Sequence, residues 1–328
     1  MESTGQWAPW CFLGLFLAGS LLMIWRLEAM NAGGLEGTVL GTLVMPYCSG
    51  MGNLIFAFVL GARNGPGADV LTNCLVNNVT NLTLLLGLPT MIWGMNVLPE
   101  TEPKKGKKKK AHQRQAHELN RLSLLLTLAA VVFFTGVVWA MARHGRLDYW
   151  DGLVLVGLFL FWQCFHIFDV LKNNVRQSKS LNWMLPIDLV LLGAGAYAIY
   201  LSTDWLVAWI SKIQTGLISA KYLGWLSGWL MVLPNGLLAF YYAWRGNPEV
   251  VYTSQVGDGH ICIPLCLGVY ALYRPMQTPA FFETGLLILL GAAAFHFVLV
   301  AVFGRLPRVT GWVLTGAYGV FLYEGLLK

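Results

Sequence analysis

The sequence predicts an all-α polytopic membrane protein with about ten transmembrane helices in two inverted five-helix repeats. Composition is the first observation: of 328 residues, 56% are hydrophobic and only 12% are charged, whereas a soluble domain carries about 25% charged residues. Apolar runs are the second observation, since several reach the roughly 20 residues that cross a bilayer. The third is a polar motif that occurs twice, once in each half of the chain.

Ten apolar segments supply the predicted spans. In chain order they occupy residues 8–25, 38–61, 70–97, 121–142, 149–171, 183–210, 217–244, 249–273, 279–303 and 308–326. The third and sixth are long enough to tilt or break inside the bilayer. The chain is predicted to divide into spans 1–3 with the first motif (1–103), a basic cytoplasmic loop (104–120), spans 4–5 (121–173), a cytoplasmic linker (174–182) and spans 6–10 with the second motif (183–328).

Basic residues between the spans predict the orientation. The net charge is +6, and its densest part is the lysine-rich run 104–110. Because short loops rich in lysine and arginine stay in the cytoplasm, this run predicts that both chain ends lie outside. It favours contact with anionic lipid headgroups over nucleic acid, so we expect the lipid bilayer as a partner and no nucleic acid. We also expect a bacterial plasma (inner) membrane.

Catalytic and cofactor motifs are missing from the sequence. It contains no phosphate-binding loop, dinucleotide fingerprint or nucleophile elbow, and its six cysteines show no metal-ligand spacing. We therefore expect neither an enzyme nor a bound cofactor, and we expect the cysteines to act as small hydrophobic side chains.

The repeated motif reads Asn-x-x-x-Ala-Phe-x-x-x-x-Arg. Its two copies consist of Asn53, Ala57, Phe58 and Arg63 on span two, and of Asn235, Ala239, Phe240 and Arg245 on span seven. The copies lie five spans apart in the chain order, and this odd offset makes two equivalent hairpins face opposite sides of the membrane. An inverted-topology repeat of this kind commonly forms a transport site near the bilayer midplane.

A second polar segment follows each motif. In the first half the asparagines recur every four residues, at Asn73, Asn77 and Asn81. Ser254, Asp258 and Cys262 repeat this spacing in the second half. Residues spaced by four share one face of a helix, so each set predicts a polar face. Such side chains in lipid need partners, water or an ion, and the alternative to a site is hydrogen bonding between neighbouring helices.

These segments resemble the sodium/calcium exchanger family, whose members have ten spans in two inverted halves. The stretch Cys48–Asn53 occupies the first family motif, and Thr72–Asn78 followed by Asn81 occupies the segment after it. In the second half, Leu233–Asn235 and Thr253–Gly259 occupy the corresponding positions. The resemblance implies an exchanger-like fold and a cation-transport function.

The departures from the family pattern concern the ligands. The resemblance places the family's two central glutamates at Asn53 and Asn235, and a second-half acidic ligand at Cys262. Several family hydroxyl positions have become Gly50, Met231 and Val232, while one new carboxylate appears at Asp258. Calcium sites rely on several hard oxygen ligands, with carboxylates tuning affinity. A single carboxylate therefore favours a monovalent cation or a proton.

The predicted cation site consists of Asn53, Asn77, Asn81, Asn235 and Asp258, with Ser49, Asn73 and Ser254 as second-rank ligands. The expected function is a secondary cation transporter, an antiporter of the exchanger type, whose ion could be sodium, calcium, potassium or a proton. The alternative is a transport-inactive scaffold or subunit that binds another membrane protein, because both central glutamates are replaced.

Other ionisable residues in the spans receive structural interpretations. Asp188 is expected in the first turn of a helix, where an acid interacts favourably with the helix dipole. His260 lies two residues from Asp258, so a regular helix would point them apart. His166 and Asp169 are interpreted as an interface pair, with a proton relay as the alternative, and Glu283 and His296 are interpreted as structural side chains.

Overall fold

The computed structural model describes residues 7–32, 45–98, 107–174 and 184–328. Its helices in chain order are α1 (Ala8–Ala32), α2 (Met45–Ala62), α3 (Gly67–Val79), α4 (Leu86–Trp93), α5 (Lys107–Met141), α6 (Tyr149–Asn174), α7 (Leu185–Ile210), α8 (Leu223–Trp244), α9 (Pro248–Gly257), α10 (Gly259–Ile261), α11 (Leu267–Tyr273), α12 (Phe282–Val302) and α13 (Arg308–Leu322). The first π segment (Thr80–Leu85) joins α3 to α4, the second (Cys262–Cys266) joins α10 to α11, and a third (Tyr323–Leu327) follows α13.

The helices confirm the predicted all-α membrane fold with two inverted repeats. Within the described ranges, seven helical stretches are long and apolar enough to cross a membrane, and Gly50–Ala62 and Tyr149–Cys164 form shorter apolar helices. The basic connection differs from the predicted loop at 104–120, because α5 is one continuous helix from Lys107. Lysine, arginine and glutamine are good helix formers, and this explains why the apolar span extends into the basic segment.

The breaks in the spans fall at equivalent places in the two halves. The predicted break in span three is present at the first π segment, whereas span six is the continuous helix α7. Span eight is broken instead, at the second π segment. Proline contributes to both interruptions: Pro264 lies inside the second segment and Pro89 lies just after the first. Each removes a main-chain donor from the helix and crowds the carbonyl four residues earlier.

Two compact units can be distinguished, and each contains parts of both sequence halves. Unit 1 comprises Met1–Val76, His144–Pro234 and Ile261–Thr278. Unit 2 comprises Asn77–Arg143, Asn235–His260 and Pro279–Lys328. The unit boundaries fall inside α3 and α8, the helices that carry the predicted site residues Asn73, Asn77 and Asn235.

Each unit contains one short antiparallel ribbon. The strands are β1 (Met95–Asn96), β2 (Arg146–Leu147), β3 (Met276–Gln277) and β4 (Arg305–Leu306), with β2 paired to β3 in unit 1 and β1 paired to β4 in unit 2. Both β2 and β4 belong to the tripeptide Gly-Arg-Leu, and the glycines Gly145 and Gly304 have φ values of 78° and 62°. Side chains other than glycine rarely adopt this region. The Gly-Arg-Leu ribbons are therefore a second feature, besides the asparagine motif, that occurs once in each half of the sequence.

Glycine pairs bring helices together at repeat-related positions. In unit 2, a Cβ on Gly311 of α13 would lie 2.6 Å from the main-chain oxygen of Gly87 on α4. In unit 1, a Cβ on Gly152 of α6 would lie 2.9 Å from the main-chain oxygen of Gly268 on α11. Small residues permit such backbone approach between membrane helices. These contacts fix the outer helices of each unit against the broken ones.

The helices α1 and α7 of unit 1 also pack closely. Gly19 and Gly195 face each other, since a Cβ on either would lie 3.0 Å from the main-chain oxygen of the other. Asp188 lies in the first turn of α7, as predicted. Its Oδ1 also accepts a hydrogen bond from the Arg26 guanidinium at 3.3 Å, and both side chains are buried. Asp188 thus lies in the first turn of α7 and also forms a buried ion pair with Arg26.

Candidate cation site

Asp258 is the only buried acidic side chain among the described residues of unit 2. It lies at the end of α9, where the helix is interrupted, and its exposed fraction is 0%. Its Oδ2 accepts a hydrogen bond from the Asn235 side-chain amide at 2.6 Å and another from the Asn81 side-chain amide at 2.9 Å. Three predicted site residues, drawn from both sequence halves, therefore meet in unit 2.

Each of the three side chains lies at an irregular point of its helix. Pro234 precedes Asn235 in α8 and cannot donate a main-chain hydrogen bond. Asn81 lies in the first π segment, whose wider turn redirects side chains relative to a regular helix. After Asp258, a Cβ on Gly259 would lie 3.2 Å from the Asn78 side-chain oxygen. Glycine thus lets the chain pass close to Asn78 directly beside the carboxylate.

Two side-chain oxygens beside this cluster are available as ligands. Asn81 Oδ1 and Gln255 Oε1 are fully enclosed, and neither has a hydrogen-bond partner among the described residues. The Gln255 amide donates to the main-chain oxygen of Asn235 at 3.4 Å, which places Gln255 next to the site. Carboxylate and amide oxygens are hard ligands suited to alkali and alkaline-earth cations. Gln255 is not among the ligands predicted from the sequence, although its spacing of three from Asp258 puts both residues on one helix face.

The electrostatics of the cluster favour binding of positive charge. No lysine or arginine side chain is buried in the described part of unit 2. Removing a carboxylate from water costs several kcal/mol, while each hydrogen bond to a charged group contributes about 1.5–3 kcal/mol. Two amide donors therefore offset part of the desolvation of Asp258. The described residues hold no group of three or more histidine, cysteine or acidic side chains arranged for a metal ion.

The predicted site residues Asn53 and Asn73, both in unit 1, are uncharged. Asn53 is completely buried, and neither its amide nitrogen nor its oxygen has a hydrogen-bond partner among the described residues. Asn73 donates to the Ser227 hydroxyl at 3.0 Å, and the Asn73 oxygen has no partner in that part of the chain. Ser227 in turn donates to the Gly224 main-chain oxygen at 3.0 Å. Asn53 and Asn73 thus present amide oxygens that have no hydrogen-bond partner among the described residues.

Apolar side chains cover the glycines next to Asn53. A Cβ on Gly50 would lie 2.9 Å from the Ile261 side chain, and one on Gly52 would lie 2.5 Å from the Met231 sulfur. Gly50 and Met231 are positions where the resemblance implied hydroxyl ligands. The side chain of Ser49, a second-rank ligand, lies outside the residues whose side chains are described. The surroundings of Asn53 are therefore less polar than the family pattern implied.

The remaining predicted ligands lie near the cluster or on the same helices. Asn77 and Asn78 are buried and both interact with neighbouring groups. The Ser254 hydroxyl donates to the Val251 main-chain oxygen of its own helix at 3.0 Å and accepts from the Gln255 amide at 3.2 Å. Asn73 and Asn77 lie on α3, which ends at Val79, and Asn81 lies beyond it in the first π segment, so the shared helix face of these three residues stays a prediction.

Two buried histidines support the helices around the cluster. A ring nitrogen of His296, on α12, lies 2.8 Å from the Leu82 main-chain oxygen in the first π segment. A ring nitrogen of His260 lies 3.0 Å from the Thr127 main-chain oxygen on α5. These contacts agree with the structural interpretation of His296 and connect His260 to a neighbouring helix. The predicted pair His166 and Asp169 lies outside the residues whose side chains are described.

Buried polar side chains on broken membrane helices, present in both inverted halves, are typical of secondary transporters. The model of the sodium/calcium exchanger protein family matches residues 7–168 and 187–324. The chain therefore belongs to the sodium/calcium exchanger family, whose members are integral membrane transporters rather than enzymes. No curated protein sequence is similar enough to this chain to count as a match.

Solved structures of the sodium-calcium exchanger NCX_Mj share the fold. The structure soaked with 2.5 mM Na+ and 10 mM Sr2+ is 17% identical, has a TM-score of 0.65 and covers 94% of this chain and 94% of its own. The structure soaked with 100 mM Na+ and 10 mM Sr2+ is 19% identical, with a TM-score of 0.65 and coverage of 94% of both chains. At this low identity, the likeness shows a common fold alone.

Proposed function

We propose that this protein is a secondary cation transporter of the exchanger type whose charged ligand is Asp258. The observation that carries the proposal is the fully buried Asp258 carboxylate, held by Asn81 and Asn235 at 2.9 and 2.6 Å. An ionisable group inside a membrane domain is costly and is retained where it serves an ion pathway. The oxygens of Asn81 and Gln255 are the further ligands. The other ligands expected from the sequence remain predictions, namely Asn53, Asn77, Ser49, Asn73 and Ser254.

The charge of the site favours a monovalent cation. One carboxylate neutralises one positive charge, so a bound sodium or potassium ion would leave a neutral site. A calcium ion would leave one uncompensated positive charge in a medium where charges are expensive. Calcium also takes six to eight oxygen ligands, with carboxylates setting the affinity. A proton carried by Asp258 is the other species that fits one negative charge.

Tracer flux into proteoliposomes tests the proposal. Purified protein would be reconstituted, and uptake of radiolabelled sodium, rubidium and calcium would be measured in vesicles loaded with the same unlabelled ion. We expect sodium or rubidium exchange in the native chain and its loss in Asp258→Asn, which removes the charge and preserves shape. Asp204→Asn is the matched control, because Asp204 pairs with Arg63 in a partly exposed position of unit 1. Equal flux in Asp258→Asn and native vesicles would overturn the assignment.

A transport-inactive role is the second candidate, and the surroundings of Asn53 favour it. Asn53 carries no charge, and Ile261 and Met231 cover the glycines beside it. A chain of this kind would act as a scaffold or subunit for another membrane protein. No flux of sodium, rubidium, calcium or protons in sealed vesicles, with folded protein shown by a cooperative melting transition, would support this role over transport.

A further inference from the structure

A cavity of about 790 Å³ lies among the helix ends of unit 2. It is bounded by the end of α4, the turn between α8 and α9, and the β1–β4 ribbon. The described residues that line it include Trp93, Trp244, Glu249 and Arg305, and none of them is a ligand of the proposed cation site. Ligand pockets in proteins have volumes of this order and combine aromatic walls with a few polar groups. The cavity is therefore a candidate binding site of its own.

The cavity lies at the level where membrane helices end. Trp93 and Trp244 are the last residues of two apolar stretches long enough to cross a membrane, and Pro248 is the first residue of a third. Trp93 is 40% exposed and Trp244 is 71% exposed, and tryptophan is enriched at the depth of the lipid headgroups. The Trp93 ring contacts the Phe240 ring edge to face, with centroids 6.5 Å apart. The lining of the cavity thus faces the headgroup region of the bilayer.

Two opposite charges line this cavity. Glu249 is partly buried in the first turn of α9, and Arg305 is exposed on β4. In the described part of the chain, neither side chain forms an ion pair or a hydrogen bond. A guanidinium group matches the geometry of a phosphate, and a carboxylate accepts hydrogen bonds from an ammonium group. Tryptophan faces also attract an ammonium group. The lining therefore complements a zwitterion that carries a phosphate and a primary ammonium group.

The equivalent place in unit 1 is occupied by contacts within the protein. A smaller cavity of about 360 Å³ lies there, between the turn after α2 and the β3 strand. The Tyr270 hydroxyl donates to the Gly65 main-chain oxygen at 2.6 Å, and the Arg274 guanidinium donates to the Asn64 side-chain oxygen. The described residues that line this smaller cavity include no acidic side chain. The repeated backbone thus carries internal hydrogen bonds in unit 1, whereas the charged side chains of the unit 2 cavity are available to a ligand.

We propose that the unit 2 cavity binds the headgroup of phosphatidylethanolamine, a membrane lipid with one phosphate and one primary ammonium group. Arg305 binds the phosphate, Glu249 accepts hydrogen bonds from the ammonium group, and the two tryptophans pack against the headgroup. Exposed apolar side chains close to Arg305 in the sequence, at Val302, Phe303 and Val309, offer a surface for the acyl chains. The lipid site uses no residue of the proposed cation site, so each can be tested without the other.

Native mass spectrometry of the full-length protein in detergent tests the proposal, because it counts the lipids that stay bound. The protein would be titrated separately with the dioleoyl forms of phosphatidylethanolamine, phosphatidylcholine and phosphatidylglycerol, and with free phosphoethanolamine. We expect phosphatidylethanolamine to bind at least about threefold more tightly than phosphatidylcholine, whose quaternary ammonium group has no hydrogen to donate to Glu249. Free phosphoethanolamine should bind more weakly than the lipid, because it has no acyl chains. Equal binding within either pair would overturn the proposal.

Two substitutions separate the roles of the two charges. Arg305→Gln removes the partner of the phosphate and should weaken phosphatidylethanolamine and phosphatidylglycerol alike, by about threefold or more. Glu249→Gln should weaken phosphatidylethanolamine by a similar factor and leave phosphatidylglycerol undiminished, because that lipid has no ammonium group.

Matched controls exist for both substitutions, at exposed residues that do not line the cavity. Arg146→Gln makes the same change in the Gly-Arg-Leu ribbon of unit 1, and Glu283→Gln makes it in the first turn of another helix, α12. We expect native binding of phosphatidylethanolamine in both controls, and native melting temperatures in all four variants. Equal loss of this lipid in a variant and its control, or equal weakening of both lipids by Glu249→Gln, would contradict the assigned site.

Discussion

At the scale of single residues, an asparagine in this site has two roles. Its amide nitrogen donates to Asp258, as Asn81 and Asn235 both do. Its amide oxygen can ligate a cation, and Asn81 Oδ1 is buried without another partner among the described residues. A glutamate would supply only acceptors. Asparagine therefore lowers the charge of the site and, in addition, introduces donors that compete with the cation for the carboxylate.

Removing one of these donors should destabilise the protein. Asn235→Ala leaves the buried Asp258 carboxylate with one donor fewer, and a hydrogen bond to a charged group contributes about 1.5–3 kcal/mol. We expect a lower melting temperature in detergent for Asn235→Ala than for Asn247→Ala, because the exposed Asn247 side chain makes no capping hydrogen bond to the helix that follows it. A melting temperature equal to that of the native protein would contradict a stabilising role for Asn235.

A double-mutant cycle separates this hydrogen bond from the loss of side-chain volume. In the Asp258→Asn background the acceptor is neutral, so Asn235→Ala should cost less by about 1 kcal/mol or more. Additive effects of the two substitutions would mean that Asn235 acts through packing alone.

The sequence predicted most of the cluster at this scale, for a simple reason. Asn81, Asn235 and Asp258 are polar residues in apolar spans, where each such side chain is conspicuous. Gln255 was not selected, because its importance depends on a contact with the Asn235 main chain that spacing alone does not reveal. The π segment that contains Asn81 was not predicted, because hydropathy carries no signal for such a segment.

At the scale of elements, the broken helices depend on contacts with their neighbours. The Leu82 main-chain oxygen lies in the first π segment, where the regular hydrogen-bond ladder changes. His296 of α12 lies 2.8 Å from this oxygen and is fully buried. The contact fixes the residue next to Asn81. The position of the Asp258 cluster therefore depends in part on a histidine from another helix.

Replacement of His296 should loosen the first π segment. In His296→Leu, the Leu82 carbonyl loses its side-chain partner, and an unsatisfied buried acceptor costs about 1–3 kcal/mol. We expect a lower melting temperature and faster amide hydrogen exchange in the segment Thr80–Leu85, with His144→Leu at an exposed position as the control. Unchanged exchange in this segment would show that the contact does not hold it.

The glycine contacts between helices provide a second prediction at this scale. Gly311→Ala would place a methyl group 2.6 Å from the Gly87 main-chain oxygen, and backbone cannot move aside cheaply. Overpacking of this kind costs about 1–3 kcal/mol. Gly316→Ala lies on the same helix, α13, and its Cβ would meet nothing within 4 Å. We expect a lower melting temperature for Gly311→Ala alone, and equal melting of both variants would contradict the close packing of α4 and α13.

Hydropathy predicted which segments form helices, but it did not predict which helices contact each other. The ten spans follow from apolar length, which is encoded locally. The glycine pairs and the paired Gly-Arg-Leu ribbons depend on which segments become neighbours, and no single segment contains that information. The break in span eight was missed for a related reason. Pro264 and the glycines around Asp258 are signals of a helix break in span eight, but the prediction used segment length, which favoured a break in span six.

At the scale of the whole molecule, the internal repeat is symmetric in its backbone and asymmetric in its charge. The broken spans, the two ribbons and the glycine pairs occur at corresponding positions of both halves. The carboxylate is not repeated in this way. Asp258 belongs to the second half of the sequence, and the described residues of unit 2 contain no other buried acidic side chain. On the proposed function, this exchanger fold would carry a single-charge site, and we therefore predict one monovalent cation bound per chain.

Equilibrium binding of radiolabelled sodium or rubidium to the purified protein in detergent tests this claim most directly, because it requires no transport. We expect saturable binding of one ion per chain in the native protein and in Asp204→Asn. We expect loss of that binding in Asp258→Asn, with its folded state checked by a cooperative melting transition. Undiminished binding by folded Asp258→Asn, or tighter binding of calcium than of either monovalent ion, would contradict the assignment of Asp258 as the charged ligand of a monovalent cation.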